Sequence, residues 1–228
     1  MSPGEKALRK AIAAVREVAE RVAADRDELT AAADDAQKAL DQLLGGPPRL
    51  ERPADEWVAA LLAQAKAELR VARSAGTGRA EETLLETRMR FAVMAMLLQM
   101  AFEKIAKAVL ARSDFDAFQH VRTSHAAASR MVGAIRQRAR YRSTPFKRFN
   151  DDRWKVALGV ITDLEAAHPA LARGGPHLEY PWEQPDKVAL PGTDLAVVAR
   201  LASPRERISP DLLDLGEHLV DSFEQLFG

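Results

Sequence analysis

Between Phe91 and Phe102 the chain runs through twelve residues broken by a single polar side chain, Gln99, and Glu103 and Lys104 follow at once. A helix needs about 20 apolar residues to cross the hydrocarbon of a bilayer. A shorter stretch that is apolar on every side has one stable place, the centre of a helical bundle. The surrounding pattern predicts a helix from about Arg79 to about Ala111, with polar first turns and an apolar second half. Met89, Met94, Met96 and Met100 fall in it, most simply as core filling. Buried in such a helix, Gln99 needs a hydrogen-bonding partner.

The remaining punctuation is also helical. Ser2-Pro3-Gly4-Glu5 reads as a capping box with proline at the first helical position. From Leu8, through Ile12, Val15, Ala19, Val22, Leu29, Ala33, Ala36 and Leu40 to Leu43, apolar residues recur four and three apart, and Arg26 alone breaks the stripe. A 3.5-residue period of that length predicts a long helix lying along another helix, either in the same bundle or in a second copy. Gly45-Gly46-Pro47-Pro48 ends it. Further helices are predicted from Pro53 to about Ser74, from Phe115 to about Arg140 with a break near Arg122–Ser124, and from the Asn150-Asp151-Asp152 cap to His168-Pro169. A long Gly/Pro-rich loop spans Arg173–Asp194, and a last helix is capped by Ser209-Pro210-Asp211. The apolar fraction is largely Ala and Leu, a helical composition. The fold class is therefore all-α, an up-and-down helical bundle with a long N-terminal helix (1–46), a central bundle (53–170) and a C-terminal loop-plus-helix extension (171–228).

The chain contains no cysteine, which excludes disulfides, thiolate catalysis and Cys-ligated metal centres and fits a reducing cytoplasm. The first residues lack the apolar core of a signal peptide. The expectation is a cytoplasmic protein with no membrane partner.

A formal net charge of zero hides a strong polarity. Residues 117–150 hold no acid and eight bases, whereas residues 157–228 hold twelve acids and five bases. The bases are Arg122, Arg130, Arg136, Arg138, Arg140, Arg142, Lys147 and Arg148, interleaved with Tyr141, Phe146, Phe149 and followed by Trp154. Arginine forks beside stacking aromatics suit a single-stranded nucleic acid or nucleotide. Two other readings remain open. The acids of the last helix (Asp211, Asp214, Glu217, Asp221, Glu224) neutralise the segment within the fold, or an acidic protein partner does so.

Catalytic patterns are sparse. His120 and His125 flank Arg122, and an arginine beside a histidine supplies a phosphate-stabilising cation and a general acid or base, the minimum for metal-free RNA cleavage. Glu165-Ala-Ala-His168 matches half of a di-iron bundle site, which needs two such pairs, and no second is present. No phosphate-binding glycine motif occurs. No cofactor or metal is implied.

Gln99-Met100-Ala101-Phe102-Glu103-Lys104-Ile105-Ala106-Lys107-Ala108, followed by Ser124-His125 opening the next helical segment, resembles the HEPN superfamily of prokaryotic helical domains. The resemblance spans Trp57–Ile135, about a third of the chain. It implies a short up-and-down bundle, usually dimeric, of the kind common in toxin–antitoxin and phage-defence operons. Active members are metal-independent ribonucleases carrying an arginine, four to six residues, then a histidine. Here seven residues separate Arg112 from His120, two separate Arg122 from His125, and three separate Arg173 from His177. The resemblance thus implies a non-catalytic HEPN-like binding module, taking RNA, nucleotide or a partner protein on Arg130, Arg136, Arg138, Arg140, Arg142, Lys147 and Arg148. The alternatives are a divergent metal-independent ribonuclease using Arg122 with His120 or His125, and a helical assembly protein dimerising through its N-terminal helix.

Overall fold

The computed structural model describes residues 50–78, 81–172 and 176–228, and Leu50–Gly228 form one compact unit. The Leu8–Leu43 stripe lies outside the described residues, as does the choice between its two packing partners. The described chain is all-α. Its helices are α1 (Ala54–Gly76), α2 (Leu84–Ser113), α3 (Phe115–Val121), α4 (Ala128–Arg140), α5 (Asp152–Ala166), α6 (Pro169–Ala172), α7 (Pro191–Asp194), α8 (Ala196–Ala202), α9 (Ile208–Asp221) and α10 (Phe223–Phe227), with a 3-10 turn at Phe146–Asn150. Among the described residues no helix is long and apolar enough to cross a membrane.

The apolar run lies in α2, which packs against α1, α3, α4, α5, α7, α8, α9 and α10. Met94, Leu98, Phe102 and Ile105 are wholly buried there. The helix starts later than the pattern predicts. Thr83 and Glu86 form a capping box, in which the Thr83 hydroxyl accepts the Glu86 N–H and the Glu86 carboxylate accepts the Thr83 N–H. That reciprocal pairing fixes the first turn at Leu84.

The break expected near Arg122–Ser124 divides Phe115–Arg140 into two helices, α3 and α4. The Asp114 side chain caps α3 through the Ala117 N–H at 2.9 Å. Seven residues later the chain leaves α3, and α4 restarts at Ala128 with no cap from its own N-cap side chain. The cap comes instead from α5, where both Glu165 carboxylate oxygens lie within 3.3 Å of the Ser129 N–H. His125 thereby falls in the connection.

The Gly/Pro-rich stretch is also more ordered than a plain loop. Trp182–Glu183 and Val188–Ala189 form a two-residue antiparallel ladder. Leu178, Trp182, Ala189 and Leu195 sink into the same core as the bundle. The Asp194 carboxylate then ties the segment off by accepting the Leu190 N–H at 2.8 Å, the Thr193 hydroxyl and the Lys187 ammonium. Helix α8 was not expected from the sequence; its Val197, Val198 and Leu201 are buried. The 53–170 and 171–228 segments therefore share one core.

Two glycines mark close approaches. A methyl group on Gly192 would lie 2.8 Å from the Met89 sulfur and 3.0 Å from the Arg88 backbone, so α7 presses directly on α2. One on Gly216 would lie 2.7 Å from Leu69 Cδ2, where α9 crosses α1. Overpacking of this kind costs about 1–3 kcal/mol. Gly216→Ala should lower stability by about that amount in denaturant titrations, and the loss should be partly relieved in a Leu69→Ala background. Additive losses would show that the contact is not the cause.

Candidate functional site

Gln99, Glu103 and Lys107 stand at successive i,i+4 positions of α2 and share one face. Glu103 and Lys107 are buried, at 7% and 6% exposure. The Lys107 ammonium donates to Glu103 Oε1 at 2.6 Å, and the Gln99 amide donates to Oε2 at 3.1 Å. The α3–α4 connection supplies His125, whose Nδ1–H donates to Glu103 Oε2 at 3.1 Å. The His168 ring, from the α5–α6 junction, stacks on His125 at 3.9 Å between centroids and 17° between planes. The structure thus joins Glu103-Lys104-Ile105-Ala106-Lys107 to Ser124-His125. One turn away Lys104 pairs with Glu68 of α1 at 2.7 Å.

Burial sets the electrostatics of this cluster. Desolvation alone would push the Glu103 carboxyl up. The hydrogen bonds from Lys107 and His125 outweigh it, and the group lies below its ordinary pKa. Desolvation wins at Glu68, which is raised despite Lys104. His168 is lowered, first by burial and then by the neighbouring His125.

A carboxylate that receives the Nδ1–H of an imidazole fixes the tautomer and leaves Nε2 with a lone pair, the arrangement of a general base. The same residues also form the one trio among the described residues, Glu103, His125 and His168, whose potential metal-ligating atoms lie within 4.8 Å of one another. Its chemistry favours a proton over a cation. Lys107 already neutralises the carboxylate. His168 Nδ1 accepts the Ala170 N–H, so its proton sits on Nε2. Stacked rings aim their in-plane lone pairs side by side rather than at one point. The Glu165 of the sequence motif is spent on the α4 cap.

The other sequence-predicted residues are dispersed. His120 is exposed and its Nδ1–H donates to the Asp116 carbonyl at 2.7 Å. Among the described residues no hydrogen bond or ring contact joins it to His125. Arg122 is half-buried at the end of α3.

Arg130, Arg136, Arg138 and Arg140 of α4, Arg142 beyond it, and Lys147 and Arg148 on the 3-10 turn are all exposed. Among the described residues none of the seven is ion-paired with a carboxylate. The acids of α9 and α10 pair elsewhere. Asp221 takes Lys66, Glu217 takes Arg73, Asp211 takes Arg153, Asp214 takes both Arg73 and Arg153, and Glu224 takes Arg112.

The aromatics depart from expectation. Phe146, Phe149 and Trp154 are buried, packing on one another, on Phe227 and on His218. Tyr141, 79% exposed, is the one aromatic of that set open to stacking on a base. Arg138 is partly structural, with its guanidinium over Phe146 and a hydrogen bond to the Leu226 carbonyl.

No family model, curated protein or solved structure matches the chain.

Two half-buried histidines predict a pH dependence. His168 and His218 are held below the ordinary 6.5, both first by burial. The unfolded chain therefore takes up protons first as pH falls through 6.5, and stability, complete above that value, is lost towards the folded pKa values. Glu103 contributes nothing in that window, since its carboxyl protonates only below its ordinary 4.5. The melting temperature should fall between about pH 7 and pH 5, and His168→Gln should flatten part of that slope. An unchanged slope in the variant would exclude His168 as a source.

Proposed function

We propose that this protein is a non-catalytic HEPN-like binding module that holds single-stranded RNA on the cationic surface formed by Arg130, Arg136, Arg138, Arg140, Arg142, Lys147 and Arg148. The observation that carries the reading is the pairing pattern. The acids best placed in the sequence to neutralise this segment are committed to Lys66, Arg73, Arg112 and Arg153. Seven exposed cations on one short stretch repel one another in the free protein, and a phosphate backbone relieves that repulsion while releasing condensed counter-ions. With one exposed aromatic, affinity rests on phosphates more than on bases, so sequence preference is weak.

Fluorescence anisotropy with a labelled RNA oligonucleotide across a salt series tests this. Three or four phosphate contacts give a log–log slope on the order of −2 to −3. Changing Arg136, Arg140 and Arg142 together to Gln should flatten the slope and leave helicity intact, since Gln is a comparable helix former. Arg138 is spared because it packs on Phe146. Binding with an unchanged slope in the triple variant would overturn the assignment.

One observation favours a second reading, a metal-independent ribonuclease. Glu103 orients His125 as a carboxylate orients a general base. Under that reading RNA is cleaved in the presence of EDTA, and His125→Ala abolishes cleavage without loss of fold. The leading reading expects intact RNA in both proteins.

A further inference from the structure

A groove of about 650 Å³ opens between the 3-10 turn, the first turn of α5 and α9. Trp154 and His218 lie along it, their rings edge to face at 5.1 Å. Two carboxylates and an arginine on its wall are already satisfied. Arg153 donates to Asp211 and Asp214, and Asp151 caps α5 through the Arg153 N–H. Lys147 and Arg148 are not ion-paired among the described residues, and the Arg148 guanidinium lies 5.7 Å from the centroid of the Trp154 ring.

His218 lies beside Trp154 on the groove floor, with the Ser222 hydroxyl 3.3 Å from its Nδ1. Burial, and then the positive charge of Arg148, hold its pKa below the ordinary value.

We propose that this groove is a phosphate subsite, in which the Lys147 ammonium and the Arg148 guanidinium donate to the oxygens of one phosphate group over a floor formed by the Trp154 and His218 rings. Arginine's planar fork suits two oxygens of a tetrahedral anion, and lysine supplies a point charge. The inference rests on the RNA-binding reading and sharpens it, because it separates one bound phosphate from the diffuse field of the arginines. The phosphate comes either from the 5′ end of a strand or from its interior.

The test uses the full chain and inorganic phosphate, titrated by calorimetry, beside RNA oligonucleotides identical except for a 5′-phosphate or 5′-hydroxyl. Saturable phosphate binding is expected, weakened about tenfold in Arg148→Gln, the factor of one charge-assisted hydrogen bond. Lys147→Gln should weaken it similarly, and since both positions are exposed neither change disturbs the core. Tighter binding of the 5′-phosphorylated strand assigns the site to a terminal phosphate; equal binding of both strands, with inorganic phosphate competing, assigns it to an internal one. No saturable phosphate binding, or binding unchanged in both variants, overturns the groove. Phosphate binding without oligonucleotide binding keeps the groove and overturns the RNA reading, and the reverse pattern overturns the groove alone.

Discussion

Glu103 and Lys107 sit on the helix around which the other helices pack, and both are removed from water. Taking a carboxylate and an ammonium out of solvent costs several kcal/mol per ion, and their mutual attraction offsets this only when the remaining hydrogen-bonding capacity is filled. Gln99 and His125 fill it on the carboxylate side. The consequence is structural. For His125 to reach Glu103 the chain must leave the helical path after Val121, so α3 and α4 cannot be continuous. Because α4 restarts without its own side-chain cap, Glu165 of α5 must supply one, and that brings the α5 terminus and His168 onto the His125 ring. A single desolvated charge pair on α2 is thus tied through His125 to the α3–α4 connection and through the stacked His168 to the end of α5.

The C-terminal acids act at a second level. Each of their ion pairs is at least partly exposed, and pairs of that kind contribute about 0–1 kcal/mol. Their value lies in connectivity. Asp214 binds Arg73 of α1 and Arg153 of α5 at once, and Glu224 reaches Arg112 at the end of α2. α9 is therefore oriented against α1 and α5, with Gly216 allowing the backbone to close on Leu69. The apolar contacts supply the stability, and the acids choose among the ways of arranging them.

The helices were legible because their signals are local. The Asp151 cap and the apolar run of α2 appear where the pattern predicts them, whereas α9 starts at Ile208, ahead of the Ser209 cap expected for it, and leaves Glu224 to α10. The need of Gln99 for a partner was legible but its identity was not, because Glu103, one helical turn away, is not expected to be buried until its lysine is counted with it. What the sequence could not reveal depends on distance along the chain. His168 reads as a helix-end histidine beside a proline, and nothing local says that its ring stacks on a residue 43 positions earlier. Phe146, Phe149 and Trp154 read as stacking platforms because they follow arginines. In the fold they close the base of α4 and α5, leaving the arginines outside. α8 was missed because seven residues are too few to show a helical period.

Charge separation on this scale carries its own energetic argument. Arg136 and Arg140 stand four residues apart on an exposed face of α4, and like charges at that spacing destabilise a helix by a few tenths of a kcal/mol. The α9 acids bind Lys66, Arg73 and Arg153 instead, and among the described residues no carboxylate pairs with Arg136 or Arg140. Beside Arg148 and Lys147, the indole and imidazole of Trp154 and His218 meet edge to face along one groove. Among the described residues the charge of this segment therefore stays unpaired with carboxylates, and α4 bears the cost of that repulsion.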